Sequence, residues 1–298
     1  MRIYLTGATG VLGRRSLPAL LAAGHDVTAV ARSDEKAAAV EATGATASRI
    51  DLFDAEAVTA AVAGHDAVVH LATNIPTGAD VAVKRGWRMN DRLRSEAASN
   101  LRAAAVAAGA ERFVQESITF PYMPNGSDLI DESHPCDYFW GNETAREAEE
   151  GCAEFTAAGG SGVVLRFGLF FAPDSAHIQT YVGAAKKGLW TVTGADDTHV
   201  SWIHMDDAAA AVVAALEAPA GIYNATEPEP VERAEHRRTV AEVVGRSKLR
   251  GVPAAAQRAL GAGVESVSRA HRISSAALSD ATGWHPVNRV VDHWKDCV

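Results

Sequence analysis

The first thirteen residues constrain this chain more than any other segment. A short apolar-rich run, Arg2-Ile3-Tyr4-Leu5, leads directly into Thr6-Gly7-Ala8-Thr9-Gly10-Val11-Leu12-Gly13. The first glycine permits a tight turn after a strand. The second lets backbone approach a pyrophosphate, and the third lets the next helix pack close to the sheet. The helix start then offers free N–H groups and the positive end of its dipole to phosphates. An amphipathic stretch, Ser16–Gly24, follows. The glycines therefore sit in the strand–loop–helix context of a dinucleotide site, against the alternative of a purely structural turn.

The rest of the first half alternates strand and helix signals. Arg2–Leu5, His25–Ala31, Ala47–Ile50, Ala67–Ala72 and Arg112–Glu116 read as strands. Gly10–Ala23, Asp34–Ala42, Ala55–Val62 and Asn90–Ala108 read as helices, with Pro18 costing the first of them a hydrogen bond. Such alternation demands parallel strands joined by right-handed crossovers. The expected fold class is α/β: a Rossmann-type doubly wound parallel sheet with a small C-terminal substrate-binding lid. Asn142–Ala157 reads as one more long helix and Val163–Phe167 as a sixth strand. From Phe171 the pattern shortens: Leu189–Val192 and Ser201–His204 suit small-sheet strands, Asp206–Leu216 and Ala234–Val244 helices. The expected division is a core over 1–170 and a mainly lid-forming part over 171–298, with some segments returning to the core.

Composition narrows the partners. The net charge of −9 argues against nucleic acid or an anionic membrane surface. No apolar run is long enough to cross a membrane. Cys136, Cys152 and Cys297 have neither metal nor redox spacing, which suits reduced thiols. With the first strand beginning at Met1 and no export signal ahead of it, the expectation is a cytoplasmic protein.

These residues resemble a known family. Thr6–Gly13, Asp51, His70-Leu71-Ala72-Thr73, Arg112-Phe113-Val114 and Leu165-Arg166-Phe167-Gly168 are similar to segments of the extended or atypical short-chain dehydrogenase/reductases, the epimerase/dehydratase group. Trp202–Ala209, Gly221–Ala225 and Thr282–Pro286 resemble later segments of that group in the same order. The resemblance implies a cofactor bed of Gly7, Thr9, Gly10, Val11, Leu12 and Gly13. It adds Asp51 and Leu52 beside the adenine, Leu71, Ala72 and Thr73 beneath the adenosine ribose and pyrophosphate, and Phe167 and Gly168. It also suits a homodimer formed through the long helices after Asn90 and Asn142.

The second strand ends Val30-Ala31-Arg32-Ser33, without the acid that binds a ribose 2′-hydroxyl. Arg32 offers a planar fork, and Ser33 a hydroxyl, for a 2′-phosphate. NADP(H) is therefore preferred over NAD(H). A solvated arginine beside a helix cap is the competing reading. Arg14 and Arg15 read as the solvated start of a helix.

The resemblance also implies a tyrosine and a lysine four residues later, the lysine lowering the tyrosine's pKa for proton transfer. No lysine of this chain follows a tyrosine by four. If Glu149 marks the register, the two slots hold Gly141 and Ala145. A rebuilt relay has candidates in Ser117, Tyr138 and Tyr122, with Glu116 as a base; each also has a structural reading as a cap, core aromatic or solvated acid. The aromatic group Tyr138, Phe139, Trp140, Phe167, Phe170 and Phe171 lines an apolar pocket or fills core. His204 reads as a packed strand residue beside a helix capped by Asp206 or Asp207, and no metal site is expected. The leading expectation is an NADP-dependent oxidoreductase for a small to medium, mostly apolar carbonyl or hydroxyl compound. A non-redox isomerase, lyase or cyclase, and a cofactor-sensing regulator, stay open beside it.

Overall fold

The computed structural model describes residues 1–76, 80, 83–253, 257 and 262–298. Seven strands form one parallel sheet: β1 (Arg2–Thr6), β2 (Asp26–Val30), β3 (Thr46–Ser48), β4 (Ala67–His70), β5 (Arg112–Ile118), β6 (Ser161–Phe167) and β7 (Gly221–Ala225). Their order is β7-β6-β5-β4-β1-β2-β3. The chain order reverses between β1 and β4, and ligands of such sheets bind in the crevice beyond the strand ends at that point.

Strand alternation divides the core in two. Ile3, Leu5, Val69, Val114 and Leu165 face one side, where α1 (Gly13–Ala22) and, once the chain has crossed, α8 (Met205–Ala214) pack. Tyr4, Val68, Phe113 and Val164 face the other, under α3 (Ala55–Val62), α5 (Ala98–Ala108) and α6 (Glu143–Ala157). Burial on both faces is why the central strands read as continuous apolar runs. The edge helix α2 (Asp34–Glu41) completes the first half.

The helix expected over Asn90–Ala108 begins earlier, as α4 (Lys84–Arg92), and passes through a π-helical turn, Leu93–Ala97, before α5. That turn puts Leu93 and Arg94 into the interior, at 8% and 1% exposure. Single π turns of this kind recur beside functional sites. The first helix starts at Gly13 rather than Gly10, because Ala8–Leu12 form the turn. Pro18 is tolerated inside α1 on its exposed side.

After β6 the chain builds a smaller unit. Leu169–Phe171 pairs with Trp202–His204, and Leu189–Trp190 with Arg250–Gly251. Helices α7 (Ala176–Lys186) and α9 (Arg233–Val243) close over Phe171, Trp190, Trp202 and Trp294. The segment Gly221–Ala225 returns to the main sheet as β7, pairing with β6. Arg233 is 1% exposed and spends its donors on Thr193, Thr198, His199, Val267 and Arg269, tying the loops of this unit together.

Candidate active site

The dinucleotide half lies at the crevice between β1 and β4. Gly7 has φ +78°, and a Cβ there would sit 2.6 Å from the Leu71 carbonyl and 2.7 Å from the Ala72 nitrogen. Only glycine accepts both that backbone conformation and that approach. A Cβ on Gly13 would lie 2.6 Å from the Ala8 Cα, so the helix start rests on its own loop. Gly10 donates its N–H to the Gly7 carbonyl at 2.9 Å. Leu12 is buried, Thr9 half-buried and Val11 exposed. The α1 N-terminus has no side-chain cap and no acid in its first turn. Its positive end is left for an anion.

Behind the loop, the Thr6 hydroxyl meets His70 Nδ1 at 2.6 Å, and His70 Nε2 meets the Leu93 carbonyl at 3.0 Å. A carbonyl only accepts, so Nε2 carries the proton and Thr6 donates to Nδ1. Burial pushes His70 down to about 4, and the ring stays neutral. The loop after β4 is pinned by Asn90, whose Oδ1 accepts from the Asn74 N–H at 3.1 Å; Thr73 beside it is half-buried.

Arg32 stands exposed just past the tip of β2, and no ion pair to it is formed among the described residues. The nearby acid Asp34 is engaged by Arg49. Ser33 caps α2, its Oγ accepting from the Lys36 N–H at 3.3 Å, which leaves its own O–H free to donate. Asp51 is exposed and holds the Phe53 N–H at 3.0 Å. Leu52 is buried, and its carbonyl accepts from Asn100 Nδ2. Arg14 and Arg15 are more than a solvated helix start. Both pair with Asp174, at 2.7 and 2.8 Å, linking α1 to the segment that enters α7.

The other half is a row across three neighbouring strands. Ser117 on β5, Arg166 on β6 and Asn224 on β7 are register partners. All three therefore share one sheet face. Glu149, two turns into α6, meets that row. Arg166 donates to it twice, at 2.9 and 2.5 Å, and Ser117 Oγ donates at 2.6 Å. Tyr138 OH also donates to Glu149, at 3.2 Å. Tyr122 OH accepts from Arg166 at 2.8 Å and donates to Asn224 Oδ1 at 2.9 Å. The Asn224 N–H in turn reaches Glu132 at 2.7 Å. Burial raises both phenols, Tyr122 to about 12; for Tyr138 the nearby Glu149 charge adds to the rise. Glu116 pairs with Arg94 at 3.0 Å inside the protein, and its pKa is raised by burial against the pull of Arg94.

Gly141 and Ala145, the two positions picked out by the Glu149 register, are both enclosed. Ala145 is fully buried in the first turn of α6. A Cβ on Gly141 would meet the Phe139 ring at 2.6 Å, so that ring occupies the space a side chain at 141 would take. Of the aromatic group, Phe167 and Phe171 are core, while Tyr138, Phe139, Trp140 and Phe170 are half-buried. Gly168 packs its Cα against the Ser201 and Trp202 carbonyls, where a Cβ would come within 2.8 Å.

Sequence reasoning had Glu149 only as a register mark and Arg166 only as part of a motif, and it missed Asn224 and Glu132. The visible signal was Leu165-Arg166-Phe167 together with Tyr223-Asn224, two strand-end segments that parallel pairing aligns. The helix after Trp202–His204 is capped by His204, whose Nδ1 accepts from the Asp206 N–H at 3.3 Å, and not by either aspartate. Asp207 instead holds the Val287 and Asn288 N–H groups. Among the described residues no cluster has the makings of a metal site, and no helix is long and apolar enough to cross a membrane.

Fold and loop define a doubly wound dinucleotide-binding protein with a polar cluster at the carboxyl edge of its sheet. The model of the NAD dependent epimerase/dehydratase family matches residues 3–226, and the chain belongs to that family. It is 32% identical over 308 aligned positions to a 3-diazoavenalumate denitrifying reductase of a Streptomyces species, covering 99% of this chain and 98% of that one. It is 32% identical over 281 positions to a dihydroquinoline-oxide ketoreductase of Stigmatella aurantiaca, covering 91% of this chain and 81% of that one. Among solved structures, UDP-glucose 4-epimerase of Thermus thermophilus in complex with NAD superposes with a TM-score of 0.78 at 22% identity. That match covers all of both chains.

Proposed function

We propose that this chain is an NADP(H)-dependent reductase acting on a small to medium, mostly apolar acceptor. The observation that carries the cofactor choice is Arg32: an exposed guanidinium just past the tip of β2, where an acid would serve NAD. The residues present fit the dinucleotide. Gly7 and Gly13 leave no side-chain bulk in the loop, and the uncapped α1 N-terminus faces the crevice between β1 and β4. The glycine loop would hold the pyrophosphate, Arg32 the 2′-phosphate, and Leu71 to Thr73 the floor of the adenosine. Bound NADPH supplies a hydride. Both the Streptomyces and the Stigmatella aurantiaca relatives are named as reductases, which supports hydride transfer as the shared chemistry.

The chain's own residues shape the acceptor's side. Arg166 and Glu149 form a closed pair at the sheet edge, and Ser117 and Tyr138 are fixed by that pair. Phe139 and Trp140, in edge contact at 5.6 Å between ring centroids, add apolar surface at the mouth of α6. The test is to titrate NADPH and NADH into the purified chain. NADPH absorbance is then followed against a panel of carbonyl and cationic acceptors, and NADP⁺ reduction against hydroxyl compounds. Binding of NADPH without oxidation by any acceptor would overturn the reductase reading and favour a non-redox enzyme or a sensor.

A further inference from the structure

The polar cluster at the sheet edge spends its protons internally. Carbonyl reduction leaves an alkoxide, which requires a proton donor within about 3 Å of the oxygen. At this edge Ser117 donates to Glu149, Tyr122 to Asn224 and Tyr138 to Glu149. The Arg166 donors go to Glu149, Tyr122 and Tyr138. The positions where the family places its acid and its activator are Gly141 and Ala145, and Phe139 closes the space above Gly141. Burial also makes both phenols weaker acids than free tyrosine.

The same network carries more carboxylates than guanidiniums. Glu116, Glu132 and Glu149 stand against Arg94 and Arg166. Glu132 is half-buried, its carboxylate rests on the Asn224 N–H, and it forms no salt bridge among the described residues; Arg166, already paired with Glu149, is the cation near enough to act on it. A cation brought to this edge relieves that imbalance; a developing oxyanion worsens it.

Resting on the reductase reading, we propose that this site takes a cationic hydride acceptor whose reduction needs no proton from the protein, of the arenediazonium class. The reaction balances without an acid. The C–H bond of NADPH breaks and its electron pair forms one new C–H bond on the aromatic ring. The carbon–nitrogen pair leaves with dinitrogen, and the single positive charge passes from substrate to NADP⁺. Ser117, Tyr138 and Glu149 act as positioning residues that hold the edge rigid and acidic.

The experiment uses the full chain, NADPH deuterated on either face of C4, and 4-carboxybenzenediazonium as probe. The expected result is saturable, protein-dependent formation of benzoate and NADP⁺ in equal amounts. Deuterium passes from one face only into the ring position that carried nitrogen, and none enters from heavy water. Uncatalysed reduction shows no face preference and serves as the background. A second readout is independent of turnover: calorimetry of N-methylquinolinium against its neutral isostere 1-methylnaphthalene on the NADP⁺-loaded chain. The cation is expected to bind about tenfold more tightly, and Glu132→Gln, which keeps an acceptor for the Asn224 N–H, to remove most of that preference. Equal binding of the two probes, ring deuterium drawn from solvent, or brisk reduction of neutral ketones with silence toward the diazonium overturns the proposal. Failure of NADPH itself to bind overturns the underlying reductase reading instead.

Discussion

Removing Glu149 should do more damage than its single carboxylate suggests. Glu149→Ala deletes the acceptor of Ser117, of Tyr138 and of two Arg166 nitrogens at once. Arg166 is 6% exposed and would retain only the Tyr122 and Tyr138 hydroxyls. Breaking a buried pair by removing one partner costs about 3–5 kcal/mol, because the other charge stays buried without compensation. For a chain of this size that corresponds to a melting temperature lower by roughly 5–15 °C. Glu149→Gln keeps one acceptor oxygen and should lose a smaller part. Replacing both partners, Glu149→Leu with Arg166→Met, should cost less than the two single losses added together. Urea melts of the parent, Glu149→Ala, Glu149→Gln, Glu149→Leu, Arg166→Met and the double variant read these differences directly, and NADPH titration checks that the glycine loop stays intact. A Glu149→Ala protein within about 1 kcal/mol of the parent would refute the network as the organiser of this edge.

Further consequences are equally concrete. Arg32→Ala should weaken NADPH binding by about 10–150-fold, the worth of a charge-assisted contact of about 1.5–3 kcal/mol, and leave NADH binding and thermal stability nearly unchanged. Equal loss for both cofactors in calorimetry would sink the 2′-phosphate reading. Gly7→Ala places a methyl against the Leu71–Ala72 backbone and forces a positive φ on alanine; it should abolish binding of both cofactors, and retention of either would contradict the loop's role. Stability should peak near pH 6.5. Burial lowers His70 and His271 to about 4 and His236 to about 3, so the unfolded chain binds more protons below pH 6.5 and stability falls there. Glu227 has the opposite sign: burial raises it to about 8, so stability it provides below pH 4.5 is lost as pH rises through 8. The three histidines outweigh it on the acid side. Urea midpoints equal at pH 5 and pH 7 would contradict this assignment.

The sheet was legible because its signals are local. A glycine ladder after a strand, and apolar runs buried on both faces, fix strand–helix alternation without knowledge of partners. The π turn at Leu93–Ala97 was not legible, since only the buried contacts of Leu93 and Arg94 distinguish it from ordinary helix. Arg14 and Arg15 find Asp174, about 160 positions away in sequence, which no local pattern encodes. Similarly, the Glu149–Arg166 pair joins a helix face to a strand end, and its residues looked like separate motif fragments. That no lysine follows a tyrosine by four is read directly from the sequence. That the Phe139 ring lies over Gly141 follows only from the turn before α6. The cap expected from Asp206 or Asp207 is supplied instead by His204, a buried strand-end residue whose ring reaches the Asp206 N–H first.

Single turnover distinguishes an NADP(H)-dependent reductase from a protein that only holds the cofactor. The purified chain is loaded with one equivalent of NADPH or NADH and mixed with carbonyl and cationic acceptors while cofactor fluorescence is recorded. A reductase of this kind should hold NADPH at least about tenfold more tightly than NADH and oxidise it with an acceptor of the panel, fastest with a cationic one. NADPH that binds yet stays reduced with every acceptor, or NADH held as tightly as NADPH, would contradict it.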